Sequence, residues 1–123
     1  MLVGAPRKTA LDTYVATPDP AYSWKLAHTA EGPKSTVFIL EMTSQSWGEG
    51  KQVDRAKWVH WVTIVRPKEV KASTAMLFIT GGANDGRPRT SVDGAIRAVA
   101  ENTGSVVAEL RMVPNQPLVF GDD

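Results

Sequence analysis

Apolar and polar residues alternate with period two from Tyr22 onward: Tyr22, Trp24 and Leu26 share one face, Ser23, Lys25 and Ala27 the other. That period predicts a half-buried strand over 22–29. Glu31-Gly32-Pro33-Lys34 is a turn signal, and Ser35 to Ser44 follows with Val37, Phe38, Ile39 and Leu40 in succession. This second run reads as a more deeply buried strand, and the two make a hairpin. Gly48 and Gly50 break the pattern between Ser46 and Lys51, and the region from Val53 to Lys57 reads as a helical turn. Trp58 to Arg66 then alternates again, with Trp58, His60, Val62 and Ile64 set against Val59, Trp61, Thr63 and Val65. Both faces are largely apolar, which places this strand inside a sheet rather than at its edge. Pro67 stops it.

The next run, Ala75-Met76-Leu77-Phe78-Ile79-Thr80, is uninterruptedly apolar up to its end and breaks at once into Gly81-Gly82-Ala83-Asn84. It reads as a buried strand. A polar loop follows to Thr90, Ser91 is a helix cap, and Asp93 in the first turn suits the positive end of the helix dipole. Val92, Ala95, Ile96 and Val99 fall at i, i+3, i+4 and i+7, one amphipathic face. Asn102-Thr103-Gly104 ends the helix, with Gly104 suited to a left-handed cap. Ser105 to Leu110 is the next strand, parallel to the previous one by the crossover rule. Val113-Pro114-Asn115-Gln116-Pro117 closes it as a loop. The predicted order is β-β-β-β-α-β, an α/β fold with antiparallel strands first and a parallel βαβ unit after them. Ahead of it, residues 1–21 form an arm: Thr17-Pro18-Asp19-Pro20 favours extended or turn geometry, and Ala10 to Val15 is either one helical turn or a strand. Residues 22–123 are the domain proper.

Composition removes several classes of function. Fourteen basic residues against thirteen acidic ones leave a net charge of +1, with no single-sign field to recruit nucleic acid or an anionic membrane. The absence of cysteine excludes disulfides, thiolate metal sites and a cysteine nucleophile. The first nine residues hold Arg7 and Lys8 but no apolar stretch of a signal peptide, and no run approaches a membrane span. An export signal upstream of residue 1 is compatible with this.

The Gly81-Gly82-Ala83-Asn84 loop carries the strongest chemical signal. Ligands of open α/β sheets sit at the carboxyl ends of the strands. Paired glycines there let backbone N–H groups approach a substrate, the geometry of an oxyanion hole. The plainer reading is that the glycines only allow a tight strand exit. Arg87-Pro88 in place of Lys-Ser or Lys-Thr argues against a phosphate-binding P-loop. Arg87 and Arg89 are either an anion grip or a solvated loop face. Trp47, beside Gly48, and Arg87 are candidate cleft-lining residues, whereas Trp58 and Trp61 lie on opposite faces of one strand, poor geometry for a shared platform. His28 reads as exposed and His60 as structural, since neither has metal-ligand spacing around it. Asp122 and Asp123 make no metal site. No catalytic residue, metal or cofactor is predicted.

Longer blocks carry a resemblance. Thr9-Ala10-Leu11-Asp12-Thr13-Tyr14-Val15, Pro18-Asp19-Pro20, Tyr22-Ser23-Trp24, Leu40-Glu41-Met42-Thr43-Ser44-Gln45, Trp58, His60-Trp61, Thr63-Ile64-Val65 and Val113-Pro114-Asn115-Gln116-Pro117-Leu118 resemble the PhoPQ-activated pathogenicity-related family, from about Thr9 to Phe120. The resemblance implies an α/β-hydrolase-like fold in exported, periplasmic or cell-surface bacterial proteins, with some eukaryotic relatives. It also implies that this chain is the N-terminal portion of a longer hydrolase domain, with an unknown small-molecule or peptide substrate. No G-x-S-x-G occurs, and Ser105 after Gly104 starts a strand instead of sitting on a strand-to-helix elbow. The catalytic Ser, acid and His are then expected beyond this stretch, and the chain alone is inactive. Strand Ser105–Leu110 would be an open, valine-rich edge prone to self-association, predicting poor solubility, oligomers or a molten state. The alternatives are a self-sufficient α/β binding module that grips a small anion or peptide at Gly81-Gly82, and an enzyme completed by a second polypeptide.

Overall fold

The structure is a computed structural model that describes residue 4, residues 6–48 and residues 53–121. Strands β1 (Ser23–Glu31), β2 (Ser35–Ser46) and β3 (Lys57–Pro67) form an antiparallel meander. Strands β4 (Met76–Ile79) and β5 (Val107–Leu110) flank helix α2 (Gly94–Thr103), and a short helix α1 (Ala10–Ala16) precedes them all. The five strands make one sheet in the order β1-β2-β3-β5-β4. β5 lies antiparallel to β3 and parallel to β4, so β4-α2-β5 is the crossover unit read from the apolar runs. The fold is mixed α/β.

One face of the sheet holds the core. Val37 pairs with Val65 and Val65 with Val107, and α2 lays Ile96 and Ala100 on this row. Trp61, Phe78, Val92 and Val99 pack around it, half-buried. Each fully buried aliphatic side chain here contributes about 1.5–3 kcal/mol of burial free energy. The helix stripe differs from the predicted one in one member: Ala100 is buried and Ala95 is exposed. The helix also starts later than predicted. Asp93, not Ser91, is the N-cap, its carboxylate accepting from the Ala95 N–H at 2.8 Å. Gly104 closes the helix with φ 67°, as its position suggests.

The opposite face is bare of helix among the described residues. Leu26, Leu40, Val62, Leu110 and Ile79 are register partners in one row across all five strands. Leu26 is 53% and Ile79 63% exposed. Three expectations are corrected by this layout. β1 is an edge strand, exposed on nearly every residue, where period two had predicted half-burial. β4 is exposed rather than buried, because it pairs only with β5 and only Phe78 of its residues packs against the core that α2 covers. β5 is not the open edge; it lies between β3 and β4, and the edges are β1 and β4.

Val53 forms an isolated bridge with Phe120 instead of a helical turn. Residues 49–52, Asp122 and Asp123 lie outside the described residues. In the arm, Thr9 and Asp12 cap α1 reciprocally, a Thr-x-x-Asp capping box that resolves the helix-or-strand ambiguity. α1 buries no residue. The arm is held by Tyr14, whose hydroxyl donates to Gln45 Oε1 at 2.7 Å, and by Asp19, whose carboxylate accepts from the Ser46 N–H at 2.8 Å.

Candidate functional site

The Gly81–Asn84 loop leaves the carboxyl end of β4, beside the end of β5. The parallel ladder runs past both strands: the Thr80 N–H donates to Leu110 O, Met112 N–H to Gly81 O and Val113 N–H to Thr80 O. Met112 takes φ 62° to do so, a left-handed conformation rare for a non-glycine residue, and it is buried there. Gly82 has φ 122°, which an L side chain rarely adopts. Ala83 bridges to Gln116.

Asn84 is fully engaged as an anchor. Its N–H donates to Gln116 O at 2.7 Å, its side-chain amide donates to Asn115 Oδ1 at 2.9 Å, and its carbonyl accepts from Arg55 Nη1 at 2.8 Å. Gly81 is committed through its carbonyl. The N–H groups of Gly82 and Ala83 have no acceptor among the described residues, and both residues are exposed. The Gly81 N–H likewise has no acceptor among the described residues, so three of the four candidate positions present free donors.

Asn115 fastens the loop to the sheet. It is fully buried; its amide donates to Val59 O, while Oδ1 accepts from Val59 N–H at 3.4 Å and from Asn84. The side chain thereby takes the place of a neighbouring strand at Val59.

Next to the loop is a cavity of about 230 Å³ lined by Trp61, Ala83, Asp85, Arg87, Pro88, Arg89, Arg111 and Met112. Arg87 is exposed and sits 3.6 Å from Asp85. Arg89 and Arg111 each stand 3.9 Å from Oε1 of Glu109, a separation beyond hydrogen-bonding range. Glu109 is 5% exposed; its other oxygen accepts from Thr80 Oγ1 at 3.2 Å. Glu109 Oε1 and Arg89 Nε are both buried without a hydrogen-bond partner among the described residues. Burial, and then the like charge of Arg111, lowers the Arg89 pKa from its ordinary value. A Cβ at Gly82 would lie 3.5 Å from Arg111 Nη2, so that guanidinium borders the glycine loop.

His60 positions this arginine's backbone. It is buried; Nδ1 lies 2.8 Å from the Arg111 carbonyl and Nε2 lies 2.8 Å from Ser44 Oγ. The carbonyl can only accept, so Nδ1 carries a proton and donates to it, while Nε2 shares a hydrogen bond with the Ser44 hydroxyl. His28 is exposed. Trp47 is not among the residues lining the arginine cavity. Its ring packs edge-on against Trp58 at 6.0 Å and Phe120 at 6.4 Å. A wider groove of about 1060 Å³ runs between the proline-rich arm and the end of β2. No three His, Cys, Asp or Glu side chains among the described residues are grouped to hold a metal. No described helix is long and apolar enough to cross a membrane.

Glu109, Arg111 and Asn115 were not singled out from sequence. For Glu109 and Arg111 the signal was a carboxylate on a strand otherwise apolar, two residues ahead of an arginine at the strand's end. For Asn115 there was only its place between two prolines.

Comparison with known proteins agrees with the blocks of residues that carry the resemblance. Autocrine proliferation repressor protein A of Dictyostelium discoideum is 42% identical over 123 residues, covering 99% of this chain and 25% of that protein. The chain thus spans about a quarter of the length of a eukaryotic relative. No solved structure matches it. The family described as PhoPQ-activated pathogenicity-related protein matches residues 11–123, nearly the whole length. The chain belongs to the PhoPQ-activated pathogenicity-related protein family.

Proposed function

We propose that this chain forms the first part of an α/β-hydrolase-like domain and supplies one half of its oxyanion hole. The observation that carries the reading is the pair of N–H groups at exposed Gly82 and Ala83, without an acceptor among the described residues, on the loop after a parallel strand. Hydrolases of this layout take one oxyanion donor from such a loop and the other from the residue after the nucleophile. The nucleophile, acid and histidine would come from the rest of a full-length protein, acting on a small-molecule or peptide substrate. The chain alone is then not catalytic. Export to the periplasm or cell surface is part of the same reading, and the name of the Dictyostelium relative, an autocrine factor, supports it.

The test is Ala83→Pro in a full-length family member, since proline removes the N–H outright, with Gly82→Ala beside it. Losing one oxyanion donor costs about 2.7–4 kcal/mol of transition-state stabilisation, roughly 100- to 1000-fold in kcat. Turnover of an activated ester that is unchanged in both variants, at unchanged thermal stability, would refute the role.

A second reading, a self-sufficient binding module gripping a small anion or peptide at Gly81-Gly82, is favoured by the arginines around the loop. It is separated from the first by whether the isolated chain binds without turning over. Under either reading the bare sheet face and the β1 and β4 edges are the surfaces through which copies would self-associate.

A further inference from the structure

We infer that the cavity between the Gly81–Asn84 loop and the end of β5 is a carboxylate-binding site, with Arg89 and Arg111 as the charged grip and the Gly82 and Ala83 N–H groups as its neutral donors. The inference deepens the proposed function by naming the chemical class that the loop faces, and it rests on the same free amides. Three observations carry it.

The first is the charge balance. Arg87 is matched by Asp85, whereas Arg89 and Arg111 share the single carboxylate of Glu109. A further acid, Asp93, also acts on Arg89, but it caps α2 and does not line the cavity. One positive charge is left over on a small cavity, which suits one monoanion better than a dianionic phosphate. The second is incomplete bonding. Both guanidiniums stop 3.9 Å short of Glu109 Oε1, and that oxygen and Arg89 Nε are buried without partners among the described residues. Guanidiniums ordinarily meet a carboxylate in bidentate contacts, and the half-buried Arg89 and Arg111 make none among the described residues. The third is the wall. Trp61 and Met112 line the same cavity, giving an apolar surface for the group that carries the anion. His60 acts as a positioning residue, since its Nδ1–H holds the Arg111 carbonyl while the Arg111 N–H donates to Trp61 O at 3.1 Å.

The carboxylate could belong to a free acid or to the C-terminus of a peptide, and the chemistry of the grip is the same. The experiment is a titration of the full chain followed by NMR, reading the Gly82 and Ala83 amides, the Arg89 and Arg111 Nε–H groups and the Trp61 indole. The probes are benzoate, a tripeptide with a free C-terminus, its C-terminal amide, benzamide and inorganic phosphate. Saturable shifts of the arginine signals with benzoate or the free-acid peptide, and none with benzamide or the peptide amide, are expected. The stronger of those two probes identifies the source. Arg89→Met and Arg111→Met should each weaken binding at least tenfold. Glu109→Gln removes the competing carboxylate and should tighten binding severalfold, an effect that a merely structural ion network would not produce.

Absence of saturable arginine shifts with both carboxylates overturns the inference. So does phosphate binding as tightly as benzoate, or Glu109→Gln leaving a folded chain with unchanged or weaker affinity. Arginine shifts without amide shifts would keep the carboxylate site and remove the oxyanion role. Loss of turnover in Ala83→Pro without carboxylate binding would do the reverse.

Discussion

Replacing Asn115 by Ala should be among the most damaging single changes in this chain. The residue is fully buried, and its side chain meets the Val59 N–H, the Val59 carbonyl and the Asn84 amide. Truncation leaves all three without a partner. A buried polar group left unsatisfied costs about 1–3 kcal/mol. The Val59 N–H contact is long at 3.4 Å and contributes least. Val59 and Asn84 are only half-buried, so water recovers part of the loss. The sum is about 2–4 kcal/mol, taking two groups at reduced weight. For a domain of this size, about 4 °C of Tm is lost per kcal/mol, so the midpoint should fall by about 8–16 °C. Denaturant unfolding followed by tryptophan fluorescence at low micromolar concentration measures the free energy directly. Asn115→Asp keeps an acceptor for Asn84 but turns a carboxylate toward the Val59 carbonyl. Its penalty relative to the parent should shrink as pH is lowered and the acid regains a donor. A double-mutant cycle with Asn84→Ala isolates the loop-to-sheet link. A loss below about 0.5 kcal/mol for Asn115→Ala, the range of ordinary surface changes, would refute the fastening role.

Three further outcomes are expected. Gly104→Ala places a Cβ 2.9 Å from Lys71 Cβ at φ 67°, and thermal melts should show a loss of about 1–2 kcal/mol from the left-handed strain alone. Asp19 has its pKa held below 3.8 by the backbone N–H groups of Ser46 and then Ala21. Its tether is therefore complete above pH 3.8 and lost as pH falls through the lower folded value, which the Ser46 and Ala21 amide shifts should track; a midpoint at or above 3.8 would contradict it. On the bare face, Val62→Lys should lower the sedimentation-derived association constant of the chain while leaving the core under α2 intact, and unchanged association would move the contact to a strand edge.

The elements were legible because period and turn chemistry are local. Glu31-Gly32-Pro33-Lys34 marks a hairpin wherever it occurs, and the break from Ile79 into Gly81-Gly82 marks a strand end. What was not legible is which strands lie at the margin. Tyr22, Trp24 and Leu26 alternate whether or not a layer exists to cover them, and the apolar run of β4 reads as buried although Leu77 and Ile79 are exposed. Val53 shows the same limit from the other side: its neighbours suggest a turn of helix, and a bridge to Phe120, far along the chain, decides otherwise. At the site, the glycine loop announced itself by residue type. The arginine cavity did not, since Trp61, Arg89 and Arg111 meet only after the crossover brings β5 between β3 and β4.

That order has a mechanical consequence for the site. The glycine loop is carried by a four-residue strand whose one ladder is with β5, and its far end is held at Asn84 by Asn115, Gln116 and Arg55. Segments hung from few partners open at lower free energy than the body of a sheet. Amides of β4 should therefore exchange with solvent sooner than those of β3, and the donors at Gly82 and Ala83 can shift to meet a guest without disturbing the helix-covered layer beneath.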